Sequence, residues 1–402
     1  MVQNFDIIIV GGGAAGYFTA INAAEKNPKL KIAILERGKE VLSKVRISGG
    51  GRCNVAHACF EPRELVQFYP RGEKELHGPF NQFCTNDTIA WFENQGVHLK
   101  TEDDGRIFPV SNSSQTIINC FLNAAQKYGI KTFLAQSVQS IYEGDTFWKL
   151  DTQNSQYSCN KLVLATGSNP KIWEMLQKFG HAVISPVPSL FTFNIKDIRI
   201  KELPGVATNV SVKVKDTKLA SAGPLLITHW GMSGPAILKL SAYGARILFE
   251  KNYQFTIIIN WLNDIDAESC EKRLKDLKIE HSKKAVSKKS PFDFPNRLWE
   301  SLVLASAIDG ETKWADLNKM QLQNLSNQLT NCEFNVNGKS TFKEEFVTAG
   351  GIDLREINFK TMESKIHKNL FFAGEVANID AVTGGYNFQN AWTTAFIVSQ
   401  NL

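Results

Sequence analysis

The segment 5–36 constrains this chain more than any other. Residues 5–10 read FDIIIV, an apolar run of strand length, and Gly11-Gly12-Gly13-Ala14-Ala15-Gly16 follows at once. A helix-like stretch continues to Glu25, a turn falls at Asn27-Pro28, and a second apolar run, 32–35, ends at Glu36. Strand, GxGxxG, helix, strand and acid in that order predict a βαβ unit that binds a dinucleotide. Each glycine has its own task. Gly11 lets the chain turn out of the strand, Gly13 lets a pyrophosphate approach the backbone, and Gly16 lets the helix pack close. The helix N-terminus offers unpaired N–H groups and partial positive charge to the phosphates. Glu36 stands where a carboxylate accepts hydrogen bonds from an adenosine ribose.

At 402 residues the chain exceeds what one hydrophobic core usually serves, so two or three domains are expected. The hydrophobic fraction of 43% and charged fraction of 21% are those of a soluble globular protein. A net charge of +5 over this length does not by itself imply nucleic acid, and none is expected as a partner. The seven cysteines are odd in number, scattered, and form no CxxC, which fits reduced thiols in a cytoplasm. Cys53, His57 and Cys59 lie close together but lack a fourth ligand, so no metal is expected. No signal-like segment precedes the first strand, and the apolar run 255–262 is too short to span a bilayer, so no membrane association is expected.

Residues 44–54 read KVRISGGGRCN, a second glycine loop dense in cations that can wrap an anion; a flexible linker is the plainer alternative. Residues 60–130 look mostly helical, 130–134 and 137–141 look like strands, and 146–151 with 157–160 suggest a hairpin. The hairpin feeds the buried run 161–165, which ends in Thr166-Gly167, as strands do at the ligand edge of a parallel sheet. Residues 191–262, including ARILF at 245–249, read as antiparallel β material. Helices are expected near 267–279, 296–308 and 314–329, and the Lys-rich stretch 283–289 reads as a solvated face or mobile loop. Asn337-Gly338 is a hairpin signal. Buried strands return at 346–352 and 370–375, and a final helix covers 388–399. The fold class expected is α/β. A Rossmann-like domain (1–190 and 346–402) is interrupted by a β-sandwich or barrel insertion (191–262 and 332–345) and a small helical subdomain (263–331).

The motifs KVRISGGGRCN, GRIFPVS, THWGMSGPAILKLS, VTAGGI, TMESK and LFFAGEVANIDAVTGGYNFQNA resemble those of the bacterial NAD(FAD)-utilizing dehydrogenases. That group, also called the aminoacetone oxidase-like family, lies within the FAD-binding two-dinucleotide-fold flavoproteins. The resemblance runs from about residue 5 to the C-terminus and is weakest over the helical insertion. It implies FAD as cofactor. It implies that Gly11, Gly13, Ala14, Ala15 and Gly16 hold the pyrophosphate and that Glu36 and Arg37 meet the adenosine. Lys44, Ser48, Gly49, Gly51, Arg52, Cys53 and Asn54 would wrap the flavin end, and Val138 would meet adenine through its backbone. Ala165, Thr166 and Gly167 would line the ribityl and adenine side. Gly374, Glu375, Asn387, Phe388 and Gln389 would close over the pyrophosphate and isoalloxazine.

Apart from the resemblance, a helix starting after Thr383-Gly384-Gly385 would point its N–H groups at negative charge on a reduced flavin. No second GxGxxG and no redox CxxC are present, so NAD(P)H would visit transiently or oxygen would take the electrons. His229, Tyr386, Arg52, Arg106 and Cys53 are candidates for chemistry, each with a packing or cofactor-holding alternative, and the catalytic residue is left unknown. The function expected is an FAD-dependent oxidoreductase transferring a hydride between flavin and a small organic substrate. The alternatives are a flavoprotein acting on nucleic acid and a non-catalytic flavin sensor. Substrate and oligomeric state are not legible.

Overall fold

A computed structural model describes residues 2–263, 265–340 and 347–402. The chain divides into two compact units, one of residues 1–188 with 343–402 and one of residues 189–342.

The first unit is built on the strand Val2–Val10. Ile7, Ile8, Ile9 and Val10 are all buried, as a strand with neighbours on both sides and layers on both faces requires. It pairs in parallel with Ile32–Leu35 on one side (Val10 opposite Leu35) and with Gln156–Leu164 on the other (Val10 opposite Leu164). Lys131–Phe133 and Leu370–Phe372 extend the parallel core outward, in a sheet of nine strands among the described residues. The runs 157–160 and 161–165, expected as a hairpin arm and a separate buried strand, are one strand. Its first half pairs antiparallel with Trp148–Thr152, and its second half enters the parallel core beside Leu370–Phe372. The helix Ala14–Lys26 lies against the last helix, Tyr386–Gln400, through a cluster of rings. Phe18 sits 4.5 Å from Trp91 and 5.3 Å from Trp392, and Trp91 Nε1 donates to Asn22 Oδ1 at 3.1 Å.

Among the described residues the second unit carries a seven-stranded antiparallel sheet. Its long strands are Ala207–Val214, Ala220–Thr228, Gln254–Asn260 and Cys332–Asn337. The helices Ala267–Glu280, Asn296–Ala305 and Lys319–Thr330 share one core with it, where Val212, Ile257 and Trp261 join Leu274, Trp299 and Leu325.

Three local expectations are corrected. ARILF is helix, not strand: Ala245–Glu250 follows the helix Pro235–Tyr243. Gly234 at φ +93° and Pro235 at the first helical position start the pair, and burial of Ala245 and Leu248, three apart, is helical spacing. Short apolar runs do not distinguish the two states by themselves. Asn337-Gly338 makes no hairpin. Cys332–Asn337 pairs with Gln254–Asn260 while Lys339–Ser340 pairs with Thr192–Asn194, and Gly338 at φ +97° turns the chain between those partners. The helix expected from residue 314 begins at Lys319, because Asn318 and Gln321 form a capping box there. The β structure expected over 332–345 is described only to Ser340; residues 341–346, including Phe346, lie outside the described residues. No described helix is long and apolar enough to cross a membrane.

Phe121 is fully buried, with ring contacts to Tyr17, Trp91, Phe92 and Trp392. Phe121→Ala is expected to cost about 3–5 kcal/mol, read as a lower denaturant midpoint. A midpoint unchanged from the parent would show that the ring cluster does not support the fold.

Candidate cofactor site

The carboxyl end of the first strand opens into the glycine loop, and sterics dictate each glycine. Gly11 sits at φ +112°, and a Cβ there would lie 2.3 Å from Ala165 O. A Cβ on Gly16 would lie 1.9 Å from Gly11 O, so only glycine lets the helix start this close to the strand. A Cβ on Gly13 would meet nothing within 4 Å. That is the one face of the loop left open to a ligand. Gly13 heads the helix without a side-chain cap, so the first N–H groups, at Ala14 and Ala15, face that side.

Glu36 ends the second strand and fastens this loop. Its Oε2 accepts from Gly12 N–H at 2.8 Å and its Oε1 from Gly38 N–H at 2.7 Å. A carboxylate has room for further donors, so a ribose hydroxyl can still bond there. Arg37 is exposed beside it. The segment leading to Val138 lies alongside, since Gln136 N–H donates to Glu36 O at 2.8 Å. Val138 itself is buried.

The second glycine loop is a helical turn that breaks. Within Ser43–Gly51 the chain leaves helical geometry at Ser48 (ψ 149°), and Gly49, Gly50 and Gly51 follow at φ +58°, +67° and +84°. Lys44 therefore stands on a helix, not in the loop. Cβ atoms on Gly50 and Gly51 would meet nothing within 4 Å, whereas one on Gly49 would lie 2.9 Å from Asn54 N. Cys53 takes φ +62° and is wholly buried. Burial pushes its thiol up to about 12, against a hydrogen bond with Ser48. It is an inert packing thiol. Arg52 bonds Glu102 at 2.6 Å and lies 3.8 Å over the Phe108 ring, so its guanidinium already has partners. Arg106 likewise bonds Asp104 at 2.7 Å.

Late segments complete the site. Gly374 N–H donates to Thr394 Oγ1 at 2.9 Å, and a Cβ on Gly374 would lie 3.3 Å from Ala15 Cβ. Glu375 pairs with Lys44 at 2.6 Å and is the nearest group to a Cβ on Gly167, at 3.6 Å. Lys44, Ala15, Gly167, Gly374 and Glu375 thus converge from four regions of the chain, with Ala165 and Thr166 against Gly11.

The last helix starts at Gly385 (φ +98°), packed on Ala56, with no side-chain cap. Asn387 holds both backbone groups of Ala381, at 3.0 and 3.1 Å. Gln389 is buried and bonded to Thr88 and Thr393, and Phe388 stacks on Trp392 at 5.5 Å. These three side chains fasten the helix. Their approach to a ligand is through the helix N-terminus.

The sequence reading missed a ring stack at this corner. His57 and Phe68 stand 4.6 and 4.3 Å from the Tyr386 ring. His57 Nδ1 is 3.1 Å from Gly384 O, and since a carbonyl only accepts, Nδ1 carries the proton. Burial pushes this imidazole below its ordinary value, with the Gly384 carbonyl acting the other way. Burial pushes the Tyr69 phenol well up, and its hydroxyl donates to Tyr386 O at 2.6 Å. Residues some 300 apart in sequence gave no local signal of this stack. His229, by contrast, is exposed at a hairpin turn of the second unit. Among the described residues no group of three His, Cys, Asp or Glu gathers to hold a metal.

These residues fit FAD. The unobstructed faces of Gly13, Gly50 and Gly51 leave backbone for phosphates and a ring to approach. Asn54 Oδ1 and both amide atoms of Asn390 are buried with no hydrogen-bond partner in the protein, which suits a polar heterocycle. Glu36→Gln replaces one acceptor by a donor facing a backbone N–H. FAD affinity is expected to fall about tenfold, as the loss of about 1.5 kcal/mol implies. Flavin fluorescence on dilution measures it, and unchanged retention would remove Glu36 from the site. Cys53 is expected to resist alkylation at pH 8 until the chain is unfolded, which mass spectrometry of iodoacetamide-treated protein reads directly.

Comparison with known proteins agrees with the geometry. Over 412 residues the chain is 30% identical to the ribosomal RNA dihydrouridine synthase of Escherichia coli, covering 100% of this chain and 98% of that one. It is 28% identical to the Haemophilus influenzae enzyme of the same name, with 98% of each covered. It is 22% identical to the 3-dehydro-bile acid delta(4,6)-reductase of Clostridium scindens, covering 98% and 97%. Among solved structures, E. coli quinol fumarate reductase matches with TM-score 0.52 at 15% identity, over 100% of this chain and 70% of that one. The 3-ketosteroid delta1-dehydrogenase of Sterolibacterium denitrificans matches with TM-score 0.51 at 11% identity, over 100% and 99%. These two show a shared fold. The model of the HI0933-like protein Rossmann domain matches residues 5–401. The chain belongs to the HI0933-like family and is an FAD-binding flavoprotein with an oxidoreductase fold.

Proposed function

We propose that this protein is an FAD-dependent reductase of a carbon–carbon double bond conjugated to a carbonyl, with uridine in ribosomal RNA as substrate. One observation carries the reading: the full-length likeness, at 30% identity, to a relative named for making dihydrouridine in ribosomal RNA. The modest net charge argues against nucleic acid, and the likeness over both whole chains outweighs it.

Dihydrouridine differs from uridine by two hydrogens across C5=C6. Its formation adds a hydride at C6, the carbon β to the C4 carbonyl, and a proton at C5. Bound FAD supplies the hydride chemistry. Such a reduction needs a donor of electrons, which favours a visiting nicotinamide over oxygen. The chain's own groups bind and orient. The Gly11–Gly16 loop and its helix take the pyrophosphate, Glu36 the adenosine ribose, and Gly49 to Asn54 with the last helix the flavin ring. The Lys44–Glu375 pair ties the segment before the second glycine loop to the late segment that would border the cofactor. No side chain of the chain is assigned the C5 proton.

A second reading, reduction of a small cyclic enone, is favoured by the 22% identity to the bile acid reductase over 98% of this chain. One experiment separates the two. Ribosomal RNA from cells lacking the gene is expected to lose a dihydrouridine by nucleoside mass spectrometry. The purified holoprotein with NADH or NADPH, kept anaerobic, should restore it. RNA that keeps its full dihydrouridine content, together with reoxidation of reduced flavin by cyclic enones, would reject the RNA reading for the enone one.

A further inference from the structure

The second unit carries a basic segment that the cofactor site does not use. Residues 281–290 read HSKKAVSKKS, with four lysines and no acid. Hydrogen bonds hold it against the unit as a strap, with the lysines on its solvated face. Val286 is fully buried, its N–H donates to Thr312 O at 2.9 Å, and its carbonyl accepts from Trp299 Nε1 at 2.8 Å. Trp314 N–H donates to Lys284 O at 3.0 Å and Ser287 Oγ to Gly310 O at 2.6 Å. The far end is closed by Asn296, which accepts from Ser290 N–H at 2.8 Å. Trp299 and Trp314, stacked at 6.2 Å, form the floor.

Pinned this way, the strap directs Lys283, Lys284, Lys288 and Lys289 outward, and all four are exposed. Among the described residues none of the four forms an ion pair. Other cations of the same unit do: Lys215 with Glu333 at 2.7 Å, Lys275 with Glu271 at 2.9 Å, and Arg273 with Glu280 at 2.8 Å. The neighbouring turn holds Asp309, Glu311 and Asp316 beside Lys313, and Asp309 already accepts from Glu311 N–H at 3.0 Å. The nearby rings are partly buried against the core. Phe292 and Phe294 turn toward Trp299, at 6.0 and 6.3 Å. Lys284 Nζ is 3.5 Å from His281 Nδ1, and the four exposed ammonium groups, none in an ion pair and with the neighbouring rings packed toward Trp299, match the phosphates of a folded, paired RNA better than the bases of a single strand.

We infer that the strap 282–290 is a docking surface for the sugar–phosphate backbone of structured ribosomal RNA, an inference that rests on the RNA reading of the function. The test uses the full-length holoprotein and ribosomal RNA, stripped of protein, from cells lacking the gene. A variant carrying K283Q, K284Q, K288Q and K289Q is compared with one carrying K29Q, K171Q, K178Q and K368Q. These are exposed lysines of the other unit, so the two variants have the same net charge. At 0.15 M salt the strap variant is expected to bind about tenfold more weakly. Its plot of log affinity against log salt should be shallower by about 3.6 if all four lysines meet phosphates, since each lost phosphate contact removes about 0.9. The control variant should stay within about twofold of the parent. Both should keep the parent's flavin spectrum, and arginines at the four strap positions should retain binding.

Equal losses in the two variants, or parental binding by the strap variant, would overturn the docking surface. So would strap-dependent binding to anionic phospholipid vesicles with RNA binding untouched. If the parent restores dihydrouridine while the strap variant does so at the parental rate, the strap is wrong and the function stands. A parent that neither binds nor modifies the RNA overturns both.

Discussion

The close approach of the first helix to the first strand is the constraint on which the site depends. A single methyl group on Gly16 would sit 1.9 Å from Gly11 O, well inside van der Waals contact. Because that methyl is absent, the helix begins within one turn of the strand end, and its unpaired N–H groups reach the edge of the sheet. Gly11 extends the closeness across the sheet by lying against Ala165 O. Glu36 then locks the loop from the other side through Gly12 and Gly38. One carboxylate thus fixes the loop at two backbone N–H groups. Changing it alters the shape of the loop as well as its chemistry.

The remainder of the site is assembled from distant segments, and each is committed to holding another. Lys44 meets Glu375 across 331 residues, and Tyr69 donates to Tyr386 O across 317. Several polar groups that look like ligand contacts turn out to be internal fasteners. Asn387 closes the turn at Ala381, Gln389 ties the last helix to Thr88, and Arg52 is paired with Glu102. What is left for a cofactor is largely backbone: the two glycine loops and the uncapped starts of two helices. Backbone recognition suits a group shared by many flavoproteins, because N–H donors hold phosphates without prescribing side chains.

The second unit is organised on a different principle. Its sheet and helices share one continuous core, and Trp299 connects that core to the basic strap through Val286 O. Four exposed lysines on one strap, none in an ion pair among the described residues, carry more weight than the net charge of +5. Position, not total, decides what a cation can do.

The sequence alone determined the parts governed by local sterics and periodicity. The strand–GxGxxG–helix–strand–Glu36 order survives intact because each glycine is required by contacts within or next to its own segment. The parallel core was legible for the same reason, since strands buried on both faces read as unbroken apolar runs. ARILF was misread because a run of five residues with four apolar ones satisfies either state, and Gly234-Pro235 upstream settles it only once the helix is seen. Which polar residues remain for a ligand was decided by tertiary structure. Arg52 and Gln389 reveal their partners only when segments 50 and 301 residues apart meet. So do the ring stack of His57 on Tyr386 and the row of exposed strap lysines. A hydrogen bond between distant segments leaves no spacing in the sequence, so its members look free until the fold pairs them.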